Sequence, residues 1–150
     1  MADNKALKAH LNVAVATQGV LFTKLHQYHW YVKGKHFFTL HETFEEYYDQ
    51  INEYFDEFAE RLLTIEGKPY STLQEFLDHS IIKEKPYTEE MSQSEMVQSV
   101  LDDFEKIVDH ATEGIELAGD AGDPVSEDLY IGYKTDLEKH MWMLKAYLDK

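Results

Sequence analysis

Four stretches of this chain repeat an apolar residue every third or fourth position, and none shows the two-residue alternation of a half-buried strand. A chain patterned this way can bury its apolar surface only by packing helices against one another. The first stripe is Leu7, Leu11, Ala14, Gln18, Leu21, Leu25 and Tyr28, with Gly34 as a stop. The second opens at Thr39 and Glu42, the spacing of a capping box, and runs through Phe44, Tyr48, Ile51, Phe55, Phe58, Leu62 and Ile65 to Gly67. A long connection over 68–91 contains Pro69 and Pro86, and a short helix Leu73–Leu77 with Ser71 as its cap is expected within it. Ser92 and Glu95 form a second capping-box pair, followed by Met96, Val100, Phe104, Ile107, Ala111, Ile115 and Ala118. Asp123-Pro124 opens the last helix, because proline is tolerated where the N–H has no intrahelical partner. Its stripe is Leu129, Tyr133, Leu137, His140, Leu144 and Leu148.

Four amphipathic helices with one long crossover predict an all-α fold, a four-helix bundle of ferritin-like connectivity with a short helix in the crossover. A chain of 150 residues is expected to make one domain, 1–150. No apolar run reaches membrane-spanning length, and Thr17 and Gln18 interrupt Leu11–Phe22 enough to disfavour a signal peptide. The absence of cysteine removes thiolate chemistry and suits the cytoplasm. With 29 acidic against 14 basic residues the formal charge is −15, which repels polyphosphate and attracts cations. No basic stripe suited to nucleic acid stands out.

The metal-ligating residues have a telling arrangement. A di-iron site inside a bundle uses Glu-x-x-His pairs. None of the eight histidines has a Glu three positions before it, so a site within the bundle is not expected. On the second helix His41 and Glu45 are four apart, as are Asp56 and Glu60, and all four fall within a sector of roughly 100°. The apolar stripe is centred about 110° away. Glu45 and Asp56 are nevertheless ~16 Å apart along the axis, too far to share a metal within one chain. If the helix lies antiparallel to its copy across a two-fold axis near Gln50 and Ile51, His41 and Glu45 of one chain face Asp56 and Glu60 of the other. His29, at the end of the first helix, can fold back beside His41. Imidazole nitrogen with hard carboxylate oxygen suits iron(II). Taken singly, these residues are also compatible with a solvated face and an aromatic contact beside Trp30, and spacing alone leaves both readings open.

The stretch HQYHWYVKGKHFFTLHETFEEYYDQINEYFDEFAERL closely resembles the signature of the Dps mini-ferritins. The matching positions are His29-Trp30, Gly34, Phe37, His41, and Asp56 to Glu60-Arg61. The resemblance implies a hollow homo-dodecamer that oxidises iron(II), preferably with hydrogen peroxide rather than dioxygen, and stores ferric mineral. It implies two irons per centre, held by His29, His41 and Glu45 of one subunit and Asp56 and Glu60 of its mate, with Trp30 packed alongside. Glu45 departs from the Asp most common there. His36 sits where Asn is common and is best read as a loop surface residue; His26 is best read as packing or surface. Asp120, Asp123, Glu127 and Asp128 cluster at the start of the fourth helix. Helix capping explains part of that cluster. The resemblance implies that it lines three-fold pores for iron entry. Helical pattern begins near residue 6 and runs almost to Lys150, which leaves no basic tail, so direct DNA binding is not expected. The rival readings are a DNA-compacting protein and a structural oligomer with an empty acidic interface.

Overall fold

Each apolar stripe becomes one long helix in the computed structural model, which describes residues 4–150. The order is α1 (Lys5–Tyr31), α2 (Phe37–Thr64), α3 (Leu73–His79), α4 (Gln93–Asp120) and α5 (Pro124–Tyr147). Among the described residues there is no strand, and no helix is long and apolar enough to cross a membrane.

The four long helices form a ring of neighbours. α1 lies along α2 and α4 along α5, while α1 against α4 and α2 against α5 close the other two sides. Leu11, Leu21, Phe44, Ile51, Phe58, Phe104, Tyr130 and Leu137 fill the middle, all essentially buried. Each such side chain contributes roughly 1.5–3 kcal/mol relative to exposure, before the entropy of ordering is counted. Two stripes need correction. On α2 Leu40 and Tyr47 join the buried residues, whereas Tyr48 and Phe55 are only partly covered, and on α5 Tyr130 is buried while Leu129 and Leu148 are only partly covered.

Side chains cap the starts of α3, α4 and α5, while α1 and α2 begin without a side-chain cap. Ser92 Oγ accepts from Glu95 N–H at 3.1 Å, and the Asp123 carboxylate accepts from Ser126 N–H at 3.0 Å, as the sequence predicts. The expected cap at Thr39 is not used. α2 begins at Phe37 with His36 in the cap position, and the Thr39 carbonyl accepts from Thr43 Oγ1 inside the helix. Gly34, at φ +120°, turns the chain sharply enough for Phe37 and Leu40 to reach the core, and their burial sets the start. For α3 the cap is Thr72 rather than Ser71. Thr72 Oγ1 accepts from Glu75 N–H while the Glu75 carboxylate accepts from Ser71 N–H at 3.0 Å, and the helix runs on to His79.

The crossover is strapped to α1. Phe76 sits where a Cβ on Gly19 would come within 2.7 Å of its ring, so the missing side chain forms its seat. Ile81 N–H donates to Thr17 Oγ1, Lys24 Nζ to the Lys83 carbonyl and Gln27 Nε2 to the Lys85 carbonyl. Lys24 also pairs with the buried Asp103 at 2.7 Å, which ties α1 to α4.

Candidate metal centre

The turn between α1 and α2 brings residue 29 beside residue 41. Their imidazoles stack with centroids 3.7 Å apart and planes 14° from parallel. His29 Nδ1 donates to the His41 carbonyl at 2.7 Å, and His41 Nδ1 donates to the His29 carbonyl, also at 2.7 Å. A carbonyl can only accept, so both Nδ1 atoms carry the proton. In each neutral ring the lone pair is then left on Nε2. Anchoring one ring nitrogen to fix the other is how proteins prepare histidine for a metal. His29 is 7% exposed, so its position is fixed by packing as well.

Glu45, one turn after His41, places Oε1 3.8 Å from His29 Nε2. That is too long for a hydrogen bond but is spanned by one metal ion with ligand bonds of about 2.1 Å. The Glu45 side chain is 53% exposed and able to adjust. Asp56 and Glu60 lie on the far half of α2, both exposed. Asp56 lines a hollow of about 650 Å³ with Val15, Phe55, Ala59, Tyr70 and Phe76. Among the described residues no three His, Asp or Glu groups stand together as a metal cage. His29, His41 and Glu45 are brought together; Asp56 and Glu60 are not brought to them within this chain.

Around the histidines lies an aromatic shell that sequence reading assigned elsewhere. Tyr48, placed by the sequence in the core stripe, stands edge-on to His29 with centroids 5.3 Å apart. It also stacks on His26 at 3.7 Å. His26 donates from Nδ1 to the Phe22 carbonyl and leans against Trp30, which makes it a partly covered packing residue, one of the two readings its sequence left open. The available signal was angular: residue 48 falls only ~20° from residue 41 around the helix. Trp30 is 69% exposed and projects from this face. His36 is exposed in the turn, with Tyr147 its aromatic neighbour, as read from the sequence.

Comparison with known proteins fits this geometry. A ferritin-like domain model matches residues 8–150. The DNA protection during starvation protein 2 of Bacillus anthracis is 46% identical over 147 residues, covering 98% of this chain and 99% of the relative. The chain belongs to the Dps family. Dps from Staphylococcus aureus superposes with a TM-score of 0.94 at 45% identity, covering 99% of this chain and 98% of that one. Listeria innocua Dps, in a structure soaked with cobalt, gives 0.95 at 42% identity, with 96% and 92% covered.

In this Dps chain the acidic cluster divides into two kinds of residue. Asp123 is committed internally: it caps α5, accepts from Ser126 Oγ at 2.5 Å, and pairs with Arg61 of α2 at 2.8 Å. Partial burial would raise its carboxyl, but the Ser126 and Arg61 hydrogen bonds outweigh that and hold it below the usual aspartate range. Asp120 and Asp128 are exposed, and Glu127 is partly covered. Gly122, at φ +68°, makes the turn between them.

Proposed function

We propose that this protein oxidises iron(II) at centres shared by two subunits across a two-fold axis, and stores the ferric product inside a hollow dodecamer. The observation that carries the reading is the reciprocal clasp of His29 and His41, with two Nε2 lone pairs prepared beside Glu45 and no closing ligands among the described residues of the same chain. Asp56 and Glu60, on the same side of α2 and the same distance beyond its midpoint, are the groups a dyad would deliver. The coarser conclusion, an iron-handling protein, follows from family membership.

Iron is substrate and cargo here. Carboxylates neutralise its charge and tolerate the change from iron(II) to iron(III), while the fixed imidazoles set position. Two adjacent iron(II) ions each give up one electron. One hydrogen peroxide accepts both electrons and two protons from water, its O–O bond breaks, and both oxygens leave as water, so no hydroxyl radical is released. The preference for hydrogen peroxide over dioxygen rests on the resemblance to the Dps family. Asp120, Glu127 and Asp128 form the candidate iron-entry surface, with Asp123 holding its geometry. The DNA protection named for the Bacillus anthracis relative comes, on this reading, from removing iron and peroxide.

Subunit mixing tests the shared site. Replacing His29 and His41 together by Gly, or Asp56 and Glu60 by Asn and Gln, should each slow peroxide-driven iron oxidation at least about 100-fold with assembly intact. Co-assembly of the two variants should restore a substantial fraction of the rate, because mixed dimers rebuild one complete centre. Unaltered rates in either variant, or no recovery on mixing, would refute the proposal.

A further inference from the structure

A second stacked histidine pair lies away from the proposed iron centre. His10 of α1 and His110 of α4 face each other with ring centroids 3.6 Å apart and planes 9° from parallel. His10 Nδ1 lies 2.6 Å from the hydroxyl of Tyr130 on α5, a fully buried side chain reached across the bundle's diagonal. That reach depends on Gly114, where a Cβ would stand 2.5 Å from the Tyr130 ring. Three helices are thus joined at one polar point. His10 is only 10% exposed at its side chain. Its Nε2 has no hydrogen-bond partner among the described residues, with the nearest carboxylate, Glu113, 3.8 Å away.

We infer that the His10–His110 stack is an acid-sensitive latch, which pins the N-terminal turns of α1 to α4 and α5 while both rings are neutral and releases them when one is protonated. Face-to-face imidazoles this close cannot both carry charge, and a single imidazolium here would be poorly hydrated. The titratable groups that face the pair are Glu113 on α4 and the Tyr130 hydroxyl on α5. Glu113 attracts a proton to His10, but its side chain is 72% exposed and screened by water. Burial therefore dominates: it lowers the affinity of His10 for a proton and takes His110 down to about 3, with the His10 charge acting in the same direction.

The sign follows from linkage. A histidine held below its ordinary value of 6.5 contributes its full stability above that value, and loses it progressively as pH falls toward its folded value. Acid therefore loosens this corner. The latch lies in the half of the bundle where α4 gives way to α5, the end that also carries the acidic residues 120–128. Its release would unseat α1 beside that surface.

Histidine C2 hydrogen exchange on the intact assembled protein, followed by mass spectrometry across pH, reads each ring separately. His110 should titrate at least about one unit below the ordinary histidine value of 6.5. A midpoint at or above that value would overturn the latch. Amide exchange supplies the mechanical readout: on going from about pH 7.5 to about pH 5, residues 5–14 and 106–116 should open relative to the middle of α2. Replacing His10 and His110 together by Phe, which keeps both aromatic rings but leaves neither able to titrate, should abolish that increment. An increment of equal size in the variant, or none in the native protein, would also overturn it. Should the variant fail to fold, the two wild-type measurements decide.

Discussion

At the scale of single residues, the chemistry depends on which atom is left free. His29 and His41 each spend one nitrogen on the other's backbone, so neither ring can turn without breaking a partly buried hydrogen bond. The same logic of a required vacancy holds at Gly114, whose missing side chain is filled by the Tyr130 ring. Gly114→Ala would gain about 1 kcal/mol of helix propensity. The new methyl, however, would meet three carbons of a ring that has no room to retreat, an overpacking cost of roughly 1–3 kcal/mol. Sterics should win. With three ring carbons 2.5–2.6 Å away the clash belongs at the upper end of that range, and the variant should lose about 2 kcal/mol in chemical denaturation. A variant as stable as the native protein would show that Tyr130 can move.

Between elements, the joints carry as much of the design as the helices. Arg61 reaches from the last turn of α2 to both Ser126 and Asp123, fixing the start of α5. Asp123→Ala removes the cap and one partner of Arg61 together and should cost about 1–2 kcal/mol at neutral pH. Because the Asp123 carboxyl is held below its ordinary value, that contribution is complete above the ordinary value and lost as pH falls through the lower one. Denaturation curves of variant and native protein should therefore converge in strong acid. Much at this scale was legible beforehand: the stripes of α1 and α4, the caps at Ser92 and Asp123, and the crossover all follow from local chemistry. The start of α2 was not, because two reachable starts differ only in which burial they permit, and burial of Phe37 and Leu40 is a tertiary fact. Tyr48 was misassigned for a related reason. A tyrosine at the border of two faces satisfies either periodicity, and only the neighbouring His26 and His29 decide.

For the whole molecule, charge and symmetry set the expectations. A chain of net charge −15 repels a phosphate backbone, so duplex DNA should remain unshifted in a gel at low salt even at micromolar protein; tight association would contradict this. Spacing placed His29 beside His41 without deciding between a ligand pair and an aromatic contact, and the α1–α2 turn does bring the two together. The carboxylate half was legible only as a separate face, since the proposed partner for it is another copy of the chain. Everything functional therefore rests on a dyad that closes two incomplete half-sites at once. Crystals of the assembled protein soaked anaerobically with iron(II), and measured on both sides of the iron absorption edge, test this most directly. The account predicts anomalous density between His29, His41 and Glu45 of one subunit and Asp56 and Glu60 of the next. Iron enclosed within a single bundle, or none at the dyad, would contradict it.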